Sequence, residues 1–338
     1  MKRTSLLALA LALTVLLCAC APAGPSPSPC GPSEDRTVTI YVSHKKPVYL
    51  PIIREFEERT GIWVEVVSGG SNELLTQLRQ EQEAPQADIL FGGGVESISA
   101  YEDCFTPYES SESPAILERY RDPESCWTPF SALPIVLIYN EKLVSPQALT
   151  GWEDLLNPQF QGRIAFADPA VSGSSFTALA TFLGAMPELE APMQALMLAL
   201  DGRTLDGSGD VVSAVVEGKA LVGITLEETA VKAIAAGNPL GIVYPREGTS
   251  CLPDGIAIVK NCPHPENARA FLDFAVSLDV QNLLVRQESR RSVRTDAVSS
   301  RQLPPLEDLP LLSYDPEQVC ANRDAIMTQW SRLKEGEQ

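Results

Sequence analysis

The feature that most constrains the fold is an alternation near the start of the chain. "TVTIYVS" (Thr37 to Ser43) is rich in β-branched residues and reads as a strand. Pro51 to Thr60 follows with Ile52, Ile53 and Phe56 on one helical face, and Gly61 stands where a left-handed residue closes a helix. "IWVEVV" (Ile62 to Val67) is a second strand. A helix then starts at Ser71, read as its N-cap, with Leu74, Leu75 and Leu78 facing inward. "ADILFGGG" (Ala87 to Gly94) is a third strand ending in a glycine turn. This β-α-β-α-β order demands a parallel sheet, because each return strand needs a helical crossover. Ligands of such sheets bind beyond the carboxyl ends of the strands. Those ends here are Ser43-His44, Ser68-Gly69-Gly70 and Gly92-Gly93-Gly94.

Further along, "FSALPIVLIYN" (Phe130 to Asn140) and "DGIAIVK" (Asp254 to Lys260) are long apolar strands suited to crossing between two domains. Between them lies a second α/β region: "GRIAFADP", helices around Phe176 to Met197, a helix over Val211 to Glu217 closed by Gly218, and a strand over Ala220 to Thr225. Pro265 opens a helix through Ser277 with Ala268, Phe271, Leu272 and Ala275 as its inner stripe, and the chain is helical again near Pro316 to Lys334. The fold class expected is α/β, with two lobes joined by crossing segments that form a hinge.

The N-terminus reads as an export signal. Lys2 and Arg3 precede an apolar run over Leu6 to Leu17, too short for a comfortable membrane span. Leu17-Cys18-Ala19-Cys20 resembles a bacterial lipobox, with Cys20 as the lipid-bearing residue, and "APAGPSPSPCGPSEDR" after it reads as a flexible tether. The expected division is residues 1–19 signal, 20–36 tether, 37–130 with 250–285 the first lobe, and 131–249 with 286–335 the second. Export permits disulfides; the connectivity among Cys30, Cys104, Cys126, Cys251, Cys262 and Cys320 stays open, with Cys104–Cys126 and Cys251–Cys262 as the short-loop candidates. No two cysteines form a CxxC unit, which argues against a metal centre.

A formal net charge of -18 argues against nucleic acid or an anionic membrane surface as partner. It leaves room for a small anion in a locally positive site. Ser172, Gly173, Ser174 and Ser175 stand where a helix begins. One N-cap serine is ordinary. Several hydroxyls with a glycine make a cradle, because a helix start presents unpaired N–H groups and a positive dipole end. Glu227 and Glu228 read by default as solvated charges, with acceptance from ligand hydroxyls or an ammonium as the functional alternative. Arg290, Arg291 and Arg294 read as an ion-pair cluster, with pairing to an anion as the alternative. A serine triad would have to use His44 or His264, and no GxSxG elbow supports it. His264, before Pro265, reads as a helix-opening residue; His44, at a strand end, is placed to face a ligand.

"ERTGIWVEVVSGGSNELLTQL", "ADILFGGGVES", "FADPAVSGSS", "VVEGKALVGITLEETA", "VYPREGTSCLPDGIAIVKN", "NARAFLDFAVSLDVQ" and "RRSVRTD" together resemble the extracellular solute-binding proteins of ABC importers, in the branch of ferric-iron, sugar-phosphate and 2-aminoethylphosphonate binders. The resemblance runs from about Thr37 to Asp296 and implies a type II periplasmic-binding-protein fold. It implies no covalent chemistry, no cofactor and no resident metal. The partners it implies are a small anionic solute, a membrane permease and its ATPase. The protein is expected to be a monomer outside the cytoplasm, held to the membrane by the lipid on Cys20. Ferric binders of the branch offer adjacent tyrosines where this chain has Thr225-Leu226-Glu227-Glu228-Thr229, a departure that puts iron in doubt, although His44 stands near the place of their histidine. Phosphate-type members match better. Carried over from them, Ser172 to Ser175 hold a phosphate or phosphonate, and Thr225, Glu227, Asp206 and Ser208 meet the rest of the solute. Ser43, His44, Gly70, Ser71, Gly93 and Gly94 close from the first lobe. The alternatives are a ferric ion or iron chelate as cargo, and, more remotely, a secreted hydrolase.

Overall fold

The computed structural model describes residues 33–313 and 316–336. The signal stretch, Cys20, Cys30 and all but the last residues of the tether lie outside them.

Three parallel strands open the fold: β1 (Thr37–Val42), β2 (Trp63–Ser68) and β3 (Ile89–Gly94), with β1 between the other two. The crossovers are α1 (Lys46–Thr60) and α2 (Ser71–Gln80). Strand alternation sends Val38, Ile40 and Val42 to one face, where Ile52, Phe56 and Phe271 cover them. Tyr41 goes to the other face, against Leu74, Leu75 and Leu78. Gly61 closes α1 at φ 65°, as its position predicts. The helix itself begins earlier than Pro51, at Lys46, because Pro47 supplies the fixed φ of a first turn. Gly70, not Ser71, caps α2; Ser71 is its first residue.

The long apolar strand is β4 (Thr128–Asn140), and it serves both halves. Residues 128–134 pair with β8 (Cys251–Ile258), while Ile135 to Asn140 pair with β6 (Val222–Leu226) and β7 (Leu240–Val243). β8 also pairs antiparallel with β3, so the sheet runs β2-β1-β3-β8-β4-β6-β5, where β5 is Ile164–Ala165. "GRIAFADP" therefore supplies only a two-residue strand, extended by a bridge from Ala167 to Leu205. Alternation along β4 builds a second core on two faces. Ile135, Leu137 and Tyr139 meet Trp152, Phe182 and Trp330, and Val136 and Ile138 meet Val211 and Val215.

Strand β3 runs directly into α3 (Val95–Ser99), which packs on the first lobe through Ile98. The second region carries α4 (Gly173–Ala185), α5 (Pro192–Leu200), α6 (Ser208–Val216) and α7 (Glu227–Ala235). Helices α8 (Pro265–Ala275) and α9 (Leu278–Gln287) return to the first core, through Phe271 and Leu284. β9 (Arg291–Ser292) pairs with Ser131 and Ala132 of β4. The C-terminal helices are α10 (Pro316–Ala321) and α11 (Arg323–Lys334); α10 lies against α3, while Trp330 of α11 enters the second core.

The described cysteines are free thiols, which corrects the expected pairings. Packing explains it. Cys251 sits beside Tyr120 and Ile116, whereas Cys262 packs on the first-lobe clusters. Cys104 is buried under the Gln82 amide, while Cys126 turns its sulfur towards the Glu124 carbonyl.

Candidate functional site

A cavity of about 300 Å3 lies between the two cores. The first lobe lines it with Ser43, His44 and Lys45 after β1, Gly70 and Ser71 at the start of α2, and Gly93 and Gly94 at the end of β3. The second lobe contributes Ser172, Gly173, Ser174 and Thr177 of α4, residues 206–209 at the start of α6, and Glu228 and Thr229 of α7. The crossing strands and Arg290 form its floor. Three helix starts, those of α2, α4 and α6, therefore face one space. Each carries unpaired N–H groups and roughly half a positive charge.

Ser172 is the N-cap of α4; its Oγ accepts from Ser175 N at 3.4 Å and shares a hydrogen with Ser174 Oγ at 3.1 Å. Capping thus uses Ser172, while Ser175 turns inward, buried and off the cavity lining. Gly173 is required for a different reason from capping. A Cβ there would collide with Ser71 Oγ, because the starts of α2 and α4 meet head to head across the cleft. At Gly92, whose φ is +104°, a Cβ would fall 2.5 Å from Ser43 Oγ and 2.9 Å from the His44 ring.

Two cations, Lys45 and Arg290, line the cavity beside the carboxylates Asp206, Glu228 and Asp254. Lys45 is exposed and has no carboxylate partner among the described residues; its Nζ stands 3.2 Å from where a Cβ on Gly209 would sit, over the start of α6. Arg290 is buried and anchored: Nη1 donates to Asp254 Oδ2 at 2.6 Å and Ser131 Oγ at 2.8 Å, with Nη2 3.5 Å from Glu228 Oε1. Its Nε is buried without a partner. Glu228 is desolvated, but Arg290 and Lys232 hold its carboxyl below the ordinary range, whereas burial pushes that of Asp254 up. His44 lies against Phe91 with ring centroids 4.7 Å apart, and its Nδ1 is 3.7 Å from Asp254 Oδ2. Burial, aided by Arg290 and Lys232, depresses its pKa well below the usual value, so it lines the cavity as a neutral ring.

Eleven of the sequence-predicted residues line the cavity: Ser43, His44, Gly70, Ser71, Gly93, Gly94, Ser172, Gly173, Ser174, Asp206 and Ser208. Ser175, Thr225 and Glu227 do not. Glu227 is taken by Arg291, which donates to both carboxylate oxygens at 2.8 Å, and by Tyr244 OH at 2.5 Å. The adjacent carboxylate, Glu228, faces the cavity instead, because β6 ends and α7 begins between Leu226 and Glu227 and turns the next side chain inward. Both glutamates are buried in ion pairs rather than solvated. Arg291 and Arg294 are structural pairs, to Glu227 and to Glu112 with Asp296, while Arg290 alone of that cluster reaches the cavity. His264 is held by Asp88, at 2.6 Å through its backbone N–H and 3.0 Å through Nδ1. Lys45, Thr177, Thr229 and Asp254 are polar lining residues that sequence reasoning missed, whereas Arg290 and Glu228 line the cavity, as their alternative readings require; for Lys45 the signal was its place directly after a strand end.

The lobes also meet beside the cavity. Thr177 Oγ1 of α4 donates to Glu96 Oε1 of α3; Glu96 is fully buried and its Oε2 has no partner. Burial raises its pKa, with Thr177, its own backbone N–H and the distant charge of Arg323 opposing. A raised carboxyl binds its proton more tightly in the folded state. Its stabilising share is present below the unfolded value and is lost as pH rises towards the folded one. Glu96→Gln is therefore expected to stabilise the protein at pH 8 and leave it unchanged at pH 4. The scale is about 1.4 kcal/mol for every tenfold by which folding tightens proton binding at Glu96. Chemical denaturation at the two pH values checks this; an equal effect at both would refute it.

Residues 85–315 match the family described as bacterial extracellular solute-binding protein. The chain is 26% identical to iron uptake protein A1 of Synechocystis over 75% of each chain, and 21% identical to a putative 2-aminoethylphosphonate-binding periplasmic protein of Salmonella typhimurium over 83% of this chain and 86% of that one. It superposes with a TM-score of 0.81 and 25% identity on the periplasmic binding protein AfuA of Actinobacillus pleuropneumoniae, determined with exogenous fructose-6-phosphate bound, covering 87% of this chain and 97% of that one. The two-lobed α/β architecture is the type II periplasmic-binding-protein fold. The chain belongs to the bacterial extracellular solute-binding protein family, the substrate-binding components of ABC importers.

Proposed function

We propose that this protein captures a small phosphorylated or phosphonate solute between its lobes and delivers it to a membrane permease. The observation that carries the reading is the convergence of three helix starts with the unpaired Lys45 ammonium and Arg290 on one cavity. Such a surface recognises a tetrahedral oxyanion through N–H groups and fixed positive charge. Asp206, Ser208, Glu228 and neutral His44 supply acceptors and donors for the hydroxyls or ammonium of the rest of the solute. The lobes would comprise 37–130 with 250–285, and 131–249 with 286–335, with the C-terminal segment touching both.

Ferric iron is the second reading, favoured by the carboxylates Asp206 and Glu228 and by relatives named for iron uptake. The lining residues include no tyrosine, the phenolate donor that hard ferric iron favours. Binding rather than triad catalysis is supported by His44, whose Nδ1 lies 3.7 Å from Asp254 Oδ2, too far for the hydrogen bond that orients a catalytic imidazole. Attachment by a lipid on Cys20 and a monomeric state belong to the same proposal.

A thermal-shift series with fructose 6-phosphate, 2-aminoethylphosphonate and ferric citrate tests it. A true solute at 100 times its dissociation constant adds about 2.7 kcal/mol to stability. Stabilisation by either phosphorus compound is expected. A shift with ferric citrate alone would transfer the protein to the iron binders.

A further inference from the structure

The C-terminal helix α11 lies beyond the segment that matches the family, yet it touches both walls of the cleft. Arg323 Nη2 donates to Asn72 Oδ1 at 2.9 Å. Asn72 is the second residue of α2, on the first lobe; its Nδ2 in turn donates to the carbonyls of Pro169 at 3.3 Å and Ala170 at 3.5 Å, in the second-lobe loop that leads into Ser172. The Arg323 guanidinium also lies 5.1 Å from the Phe176 ring centroid on α4. At the far end of α11, Trp330 Nε1 donates to Asp168 Oδ1 at 3.1 Å and Lys334 pairs with Asp168 Oδ2. The Asp168 carbonyl accepts from Val171 N at 3.1 Å and Ser172 N at 2.9 Å. One helix therefore grips loop 168–172 at its root and, through Asn72, ties its middle to the opposite lobe.

We propose that α11 is a closure clasp, with Arg323 and Asn72 as positioning residues for solute capture. Neither lines the cavity. They act by fixing how closely the starts of α2 and α4 approach, and so how tightly the facing N–H groups enclose an anion. In an open form Asn72 loses its carbonyl acceptors on the second lobe, so the contacts count only in the closed one. The proposal rests on two-lobed capture and not on which solute is captured.

The test compares wild type with Asn72→Ala, Arg323→Ala and the double variant. Dissociation constants and rates for fructose 6-phosphate are measured, together with solution-scattering radii with and without that compound. Each single variant is expected to weaken binding about tenfold through faster release, since one hydrogen bond to a charged group is worth about that much. The double variant should lose little more than either single one, because both substitutions break one chain of contacts. The variants should have larger radii than wild type under conditions where wild type is closed. Asn72→Asp keeps a partner for Arg323 but lacks the donor to loop 168–172, and should open the cleft in the same way. Unchanged radii and affinities within twofold of wild type would overturn the clasp. If wild type fails to bind fructose 6-phosphate, that counts against the sugar-phosphate reading, and the radii alone then decide the clasp.

Discussion

Replacing Arg290 with alanine is expected to destabilise the folded protein by about 3–5 kcal/mol, the usual cost of stranding a buried charge partner. Arg290 is 4% exposed and its guanidinium pairs at 2.6 Å with Asp254, a residue itself 3% exposed. It also faces Glu228, although Lys232 remains 2.9 Å from that carboxylate as a second cation. Asp254 would then bear most of the loss. Burial already raises its pKa, and Arg290 is the first of the groups that oppose this. Without Arg290 its carboxyl rises further. The deficit should be largest at alkaline pH and shrink as pH falls and Asp254 takes up its proton. Equilibrium unfolding in urea at several pH values measures this. Arg290→Ala combined with Asp254→Asn should recover part of the stability, since the stranded charge is gone. A loss below about 1 kcal/mol at neutral pH would mean that the network is solvated and that the floor of the cavity is not the dry ion-pair layer its burial describes.

The second large effect falls on binding and spares the fold. Gly173→Val places a branched side chain where Ser71 faces α4 across the cleft. Rotation of the Ser71 hydroxyl removes the nearest clash, but Ser71 Cβ lies only 3.5 Å from the position of the first added carbon. The γ-carbons of valine need more room than that. Overpacking of this kind costs about 1–3 kcal/mol, and here only the closed state bears it. Affinity for fructose 6-phosphate should fall about 5- to 150-fold, with the larger part in the dissociation rate. The α4 helix keeps its Ser172 cap, so helix content by circular dichroism should stay at the wild-type level. Equal loss of helix content and affinity would mean that Gly173 serves the fold of the second lobe instead of closure.

Much of the cavity lining was legible in the sequence because strand ends and helix starts are local signals. Ser43-His44, Gly93-Gly94 and Ser172 to Ser174 follow from hydrophobic period and capping chemistry, and all of them line the cavity. The choice between Glu227 and Glu228 was not legible. Adjacent residues at a strand-to-helix junction point in different directions, and Arg291 with Tyr244 already occupies the first. Arg290 and Asp254 meet across 36 positions of chain, and no local pattern marks such a pair.

By itself the sequence determined the alternation of strands and helices, the parallel opening sheet and the family, because these follow from side-chain period, turn chemistry and motif order over short stretches. Tertiary structure decided which polar groups face the cavity and which are spent in ion pairs. It also decided that Gly173 is there for Ser71, and that a C-terminal helix holds a loop more than 150 residues upstream of it, as in the link of Trp330 to Asp168. The physical reason is the same in each case. Burial sets the cost of an unpaired charge or a misplaced carbon, and burial is a property of contacts between segments that the chain keeps far apart.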